Sequence, residues 1–351
     1  MDIYSILEKA ITLKASDIHL IEGTYGRARV LNKFINITDE VLCGIDIEKM
    51  TKELLGDEKI AIIGEVGQLD FAYSLKNGQR FRINAYMQRG FYSLSIRVIK
   101  NEIPPFESLG LPSSIINFIN KKKGLILITG PTGCGKSTTL ASLINIINNS
   151  KENHIITLED PIEYIHEHKK SIISQREVGS DLQDFNEGLI AALRQDPDVI
   201  LIGEMRDSTT ISIALKAAET GHLVLSTLHT TGAAKTIDRI IDSFHNNQQD
   251  QIRYQLSTVC EGIVSQQLLT SIDEKSIVVT TEVMVVTPAI RNLIRENKIY
   301  QIKNSIQTGI KQGMHSMDQD LIRLFKEGKI SKKVVFNNCN DFEYVNKLIE
   351  L

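Results

Sequence analysis

Apolar positions recur along this chain with two different periods, and each change of period marks a new kind of element. Ile3, Ile6, Leu7, Ala10 and Ile11 follow the spacing i, i+3, i+4, i+7 and i+8, which lays one face of a helix against a core. The period then drops to two. Leu69, Phe71, Tyr73 and Leu75 alternate with other residues, Asn77-Gly78 supplies the pair that accepts positive φ in a tight hairpin, and Phe81 and Ile83 alternate on the return. Leu94, Ile96 and Val98 repeat the pattern. Residues 1–100 therefore read as a small α+β domain with an antiparallel sheet.

Residues 101–112 hold Pro104-Pro105, Gly110 and Pro112, which predicts an extended interdomain linker. Beyond it, over residues 113–351, the short β-branched runs 125–129, 155–158, 199–202 and 223–227 alternate with helical patterns such as Leu140, Leu143, Ile144 and Ile147. Alternation of this kind predicts parallel strands joined by crossover helices, an α/β sheet covered on both faces. From about Pro288 the tail reads as several short helices.

Composition narrows the function classes. With 351 residues there is room for two domains with real cores. Formal net charge is −3, so no whole-chain positive field draws the protein to a nucleic acid or to anionic lipid, and no nucleic-acid partner is expected. No apolar run is long enough to span a bilayer and the first residues do not resemble a signal peptide, so neither direct membrane insertion nor secretion is expected. Cys43, Cys134, Cys260 and Cys339 lie far apart without paired spacing, which predicts reduced thiols in a cytoplasmic protein rather than a zinc module.

The chemistry concentrates after the first parallel strand. Gly130, Pro131, Thr132, Gly133, Cys134, Gly135, Lys136 and Ser137 fit GxxxxGK[ST], followed by Thr138, between a predicted strand and a predicted helix. Glycines let such a loop turn its N–H groups onto phosphate oxygens, and the helix N-terminus adds positive charge. Lys136 is expected to reach the β/γ-phosphates of ATP and Ser137 to ligate Mg²⁺. Carboxylates and imidazoles flank the other predicted strands: Glu159, Asp160 and Glu163 after the second, Glu204 after the third, His222 before the fourth and His229 after it. Cys134, beside Lys136 and near a helix N-terminus, is expected to have a lowered thiol pKa. In the N-terminal domain, alternation puts Arg82 and Arg97 on polar strand faces.

The runs GPTGCGKSTTLASLI, ITLEDPIEY, REVG, LRQDPDVILIGEMRD, AAETGHLVLSTLHTT, AKTIDRIID and AIRNLIRE, with ASDIHL and GQRFRIN earlier, resemble in order and spacing the secretion ATPases, most closely those that retract type IV pili. The resemblance covers roughly residues 15–328. It implies a RecA-like P-loop ATPase domain preceded by a smaller α+β PAS-like domain, a homohexameric ring, and a motor that turns Mg-ATP hydrolysis between subunits into motion at a membrane platform protein of the pilus. It also implies a cytoplasmic location, peripheral at the inner face of the membrane through protein contacts. Under it Lys136 and Ser137 are the Walker A pair, Glu159, Asp160 and Glu163 form an Asp box, Glu204 is the Walker B acid beside Mg²⁺, and His222 and His229 fall in a His box that senses nucleotide state. Glu163 would be the general base, although local sequence does not rank it against Glu204. Arg82 and Arg97 would act as charge-stabilising fingers on the γ-phosphate.

AIRNLIRE has its own physical reading. Thr287 is an N-cap, Pro288 a first helical residue, Ile290, Leu293 and Ile294 an apolar stripe, and Arg291 and Arg295 a basic one; the resemblance gives it a role in retraction. The chain carries Val30-Leu31-Asn32-Lys33 where relatives often have a glycine. Competing readings are a pilus assembly or type II secretion ATPase, a nucleic-acid translocase, and a nucleotide switch that does not hydrolyse.

Overall fold

The computed structural model describes residues 2–31, 33–99 and 102–350. Asn32 of the early turn and Asn101 at the head of the expected linker lie outside the described residues. Two units emerge, Met1–Glu102 with Glu163–Ile165, and Ile103–Ile162 with His166–Leu351. Nothing in the sequence signalled that Glu163–Ile165 would group with the first unit.

In the first unit, α1 (Ile3–Thr12) starts where the Asp2 carboxylate accepts from the Tyr4 N–H, and it buries Ile3, Ile6, Leu7 and Ala10 as the apolar spacing required. Two more helices, α2 (Gly44–Leu55) and α3 (Asp57–Val66), accompany a six-stranded sheet of β1 (Asp17–Leu20), β2 (Tyr25–Val30), β3 (Lys33–Val41), β4 (Gln68–Ser74), β5 (Arg80–Gln88) and β6 (Phe91–Val98). Its order is β3-β2-β1-β6-β5-β4, with every pair antiparallel. One face is apolar and buried through Ile18, Ala28, Phe81, Ile83, Leu94 and Ile96. Leu31, in the turn between β2 and β3, takes φ of 47°, the left-handed conformation that a glycine would adopt without the cost of a Cβ.

The expected linker is a correction. Residues from Ile103 onward belong to the second unit, Phe106–Leu109 forms a 3-10 turn rather than an extended strand, and Phe106 is buried. Pro104 and Pro105 end the preceding structure, but an aromatic side chain immediately afterwards is better accommodated in a core than in solvent.

The second unit is built on β7 (Gly124–Thr129), β8 (His154–Glu159), β9 (Ile172–Glu177), β10 (Val199–Ile202), β11 (Leu223–Leu228), β12 (Cys260–Thr270) and β13 (Ile277–Val285), in the order β13-β12-β7-β11-β10-β8-β9. All pairs are parallel except β12–β13. β7, β10 and β11 are buried along their whole length. Leu125, Leu127, Ile156, Leu158, Ile200 and Ile202 point to one core, and Ile126, Ile128, Ile155, Val199 and Leu201 to the other. Alternate residues thus serve opposite faces, as a sheet covered on both sides demands. The helices are α4 (Ile116–Ile119), α5 (Lys136–Ser150), α6 (Phe185–Ala192), α7 (Ser208–Glu219), α8 (Ala233–Asp242), α9 (Asn246–Val259), α10 (Pro288–Arg295), α11 (Ile302–Thr308), α12 (Met317–Lys326), α13 (Lys332–Asn338) and α14 (Phe342–Ile349). At the β13 edge the Asp320 carboxylate accepts from the Thr281 N–H at 2.8 Å. No helix among the described residues is long and apolar enough to cross a membrane.

Candidate functional site

Register decides which side chains meet. Thr129 of β7 lies opposite Leu228 of β11, Ser226 opposite Ile202 of β10, and Ile202 opposite Leu158 of β8. The loops that follow these four strands therefore leave from one edge of the sheet. Ligands bind at that edge of an open parallel sheet, where the chain turns from strand to helix.

The loop after β7 runs from Gly130 to Gly135 and feeds α5. Gly130 has φ of 141°, and a Cβ there would lie 2.2 Å from the Gln266 carbonyl oxygen, so only glycine fits the close approach. The Lys136 ammonium folds back into the loop, donating to the carbonyls of Gly130 at 2.8 Å and Pro131 at 3.1 Å. Ser137 and Thr138 stand half-buried in the first turn of α5. Gln266, fully buried on β12, donates from Nε2 to the Cys134 carbonyl at 2.6 Å and accepts from the Thr139 hydroxyl at 3.0 Å. Burial pushes the Cys134 thiol up, against the lowering pull of the Lys136 charge. This corrects the expected lowering: Cys134 is 2% exposed, and desolvation outweighs the neighbouring cation.

Two strands away, Glu204 follows β10. The turn is fixed because the Gly203 N–H donates to the Leu158 carbonyl at 2.8 Å and the Thr227 hydroxyl donates to the Gly203 carbonyl at 2.6 Å. The Glu204 carboxylate pairs with the Arg206 guanidinium through one oxygen and lies 3.4 Å from His229 Nε2 through the other. His229 Nδ1 is in turn 3.3 Å from the Thr132 hydroxyl of the phosphate loop. The hydrogen bond to Glu204 raises the Arg206 pKa. A cavity of about 270 Å³ opens here, lined by Glu204, Arg206, His229, Thr230 and Arg239 among others.

Glu159 accepts from the Thr157 hydroxyl at 2.7 Å and from Gln175 Nε2 at 3.1 Å, while Asp160 and Glu163 are exposed. His222 precedes β11, as the sequence order has it, and its Nδ1 lies 2.9 Å from the Ala217 carbonyl near the end of α7. A strand of this length puts it about 20 Å from His229, so the chain itself does not bring it to the nucleotide edge.

On the first unit's sheet, β-register lines up Phe34, Arg29, Asp17, Arg97 and Arg82 on five neighbouring strands. Arg29 stacks over the Phe34 ring at 4.2 Å and Arg97 Nε donates to Asp17 at 3.0 Å. Arg82 is exposed, faces Arg97 directly, and forms no ion pair among the described residues. The row holds three cations against one carboxylate.

Within α10 the Thr287 hydroxyl accepts from the Ile290 N–H and Pro288 opens the helix, as read from sequence. Arg291 is not part of a free basic stripe. Its guanidinium donates to the Ser257 and Thr258 carbonyls at 2.8 and 2.7 Å and to Glu261 at 2.6 Å, closing the end of α9, whereas Arg295 is exposed.

Sequence reasoning missed Gln266, Arg206 and Thr157. Arg206 stands two residues after a strand-end acid, a local signal; Gln266 is 132 residues from the carbonyl it holds, and no local pattern points to it.

The family model described as type II/IV secretion system protein matches residues 76–278. The chain is 41% identical over 346 residues to the twitching motility protein of Neisseria gonorrhoeae, covering 97% of this chain and 92% of that protein. It is 42% identical over 333 residues to the type IV pilus retraction ATPase PilT of Pseudomonas aeruginosa, covering 95% and 96%. A crystal structure of the pilus retraction motor PilT with bound ADP superposes with a TM-score of 0.93 at 44% identity, covering 99% of each chain. Likeness over this extent establishes the α/β class, a RecA-like P-loop ATPase domain preceded by a smaller α+β PAS-like domain. The chain belongs to the type II/IV secretion system protein family and is an ATPase of that family.

Proposed function

We propose that this chain is the subunit of a hexameric motor that hydrolyses Mg-ATP to power retraction of type IV pili. The observation that carries the catalytic part is the continuous path from Thr132 of the phosphate loop through His229 to Glu204. An acid linked to the loop in this way registers the γ-phosphate as well as the metal side of the site. Direction of work rests on the relatives, which are named for twitching motility and pilus retraction.

Lys136 leaves its carbonyl partners for the β/γ-phosphates, and the loop N–H groups hold the remaining oxygens. The donor set suits Mg²⁺, since Ser137 in the first turn of α5 offers a hydroxyl and Glu204 after β10 a carboxylate, both oxygen donors at the same edge of the sheet. No group of three or more His, Cys, Asp or Glu side chains among the described residues forms a metal cage, so the ion would arrive with the phosphates. When bound, Mg²⁺ neutralises charge on the phosphoryl group being transferred. Glu204 is fixed by Arg206 and His229, which suits a positioned carboxylate on the metal side. Glu163 is exposed and has no ion pair among the described residues, and in this reading it is the base that takes a proton from the attacking water. Arg82 and Arg97 supply positive charge from the face of the first unit's sheet to a γ-phosphate in the ring. The ring works at the cytoplasmic face of the membrane through a platform protein.

ATP turnover by purified wild type, Glu163→Gln and Glu204→Gln, with light scattering on each, tests this reading. Both variants are expected to lose about a hundredfold or more in turnover while remaining hexameric. Glu204→Gln should also lose most of the Mg²⁺ dependence of ATP binding. Wild type that binds Mg-ATP without turning it over would overturn the motor.

A further inference from the structure

β12 outruns its neighbour. Thr129, the last residue of β7, lies opposite Ser265, yet β12 continues to Thr270, which brings Gln266 level with the phosphate loop. Its main chain packs so close that a Cβ on Gly130 would collide with the Gln266 carbonyl. Its side chain is 1% exposed and bonded at both ends of the amide, Nε2 to the Cys134 carbonyl and Oε1 to the Thr139 hydroxyl. A buried amide satisfied at both ends has one orientation, because reversing it would set donor against donor and acceptor against acceptor.

The consequence follows from the planar trans peptide. In the Cys134–Gly135 unit the C=O and N–H point in opposite directions. With the carbonyl drawn toward β12, the Gly135 N–H is turned to the other side, into the concave side of the loop. Gly135 has φ of 87°, so no side-chain constraint resists either orientation, and something outside the loop must choose it. We infer that Gln266 is the positioning residue of the nucleotide site, the clamp that aims the Gly135 N–H at a phosphate oxygen and ties the loop to the first turn of α5 through Thr139. This rests on the nucleotide reading of the loop.

The two bonds separate by mutation. Gln266→Glu keeps an acceptor for Thr139 but puts a carboxylate oxygen against the Cys134 carbonyl, whereas Thr139→Val removes only the other bond. Calorimetric titration of Mg-ADP into the full-length protein is expected to show affinity about tenfold or more weaker in Gln266→Glu and weaker by a smaller factor, about threefold, in Thr139→Val, which leaves the Cys134 carbonyl bond in place. Alkylation of Cys134, followed by peptide mass spectrometry without nucleotide, is expected to speed up about tenfold in Gln266→Glu, because a released loop exposes the thiol. If Gln266→Glu does not fold, Gln266→Leu removes both bonds without adding charge, and the same weakening and faster alkylation are expected.

Equal Mg-ADP affinity in wild type and a folded Gln266 variant would overturn the inference, even if thermal stability fell. So would equal losses in the Gln266 and Thr139 variants, which would mark a packing role. Wild type that binds no Mg-ADP would overturn the nucleotide reading itself, and the clamp with it.

Discussion

The two sheets of this protein carry their polar groups in different places. In the seven-stranded sheet both faces are buried, so the central strands are largely apolar and most of the polar chemistry lies on the loops leaving one edge, with buried Gln266 of β12 beside them. In the six-stranded antiparallel sheet only one face is buried, and the other displays Arg29, Asp17, Arg97 and Arg82 across neighbouring strands. A parallel sheet gathers function at strand ends because its crossover helices occupy both faces; an antiparallel sheet can present a row of charges without breaking its core. In the first kind, position relative to the strand direction decides whether a residue serves the site. In the second, the parity of its position decides.

The sharpest way to break this contrast is to remove charge from the polar face. Arg82→Ala is expected to lower ATP turnover about 10³-fold while leaving Mg-ADP affinity within about threefold, and Arg97→Ala to act in the same direction. Retained turnover in both variants would reduce the row to a solvated surface.

A smaller effect tests how dry the parallel half is. Burial and the Lys169 charge bring the His166 pKa from 6.5 down to about 4, so the folded protein favours the neutral ring. As pH falls, the unfolded chain gains the proton first; stability from this group is complete above about pH 6.5 and declines until pH 4. The loss amounts to ~3 kcal/mol. Denaturant unfolding of wild type and His166→Phe across that range should diverge by this amount, and parallel curves would show that the ring is solvated.

The smallest effect is expected at the far end of β11. His222→Ala should change turnover less than about twofold, since its ring serves the end of α7. A loss like that of Glu204→Gln would show that strand direction does not decide membership of the site.

Much of this was legible in the sequence, for identifiable reasons. Gly130 to Ser137 and the strand before it form a local signal, and Phe81, Ile83, Leu94 and Ile96 declare their face through their spacing. β12 and β13 were not read, because CEGIVSQQLLT mixes buried Ser265 and Gln266 among its apolar residues and neither period stands out. Gln266 was missed with its strand. His222 was read at the start of its strand and lies there; its grouping with His229 came from the family resemblance and not from strand direction. Cys134 was misjudged because proximity to Lys136 is visible in the sequence and burial is not. Arg291 read as a surface cation, since its partners at Ser257, Thr258 and Glu261 lie some thirty residues upstream.

The placement of Lys136 has a consequence for the cost of binding. Its ammonium already sits inside the loop on two backbone carbonyls, so the freezing of its long side chain, worth about 1.5–2 kcal/mol of rotamer entropy, is met during folding. An incoming phosphate exchanges one set of acceptors for another instead of immobilising a free arm. Less of its interaction energy is then lost to ordering, and the empty and loaded loops differ chiefly in which oxygens the lysine holds.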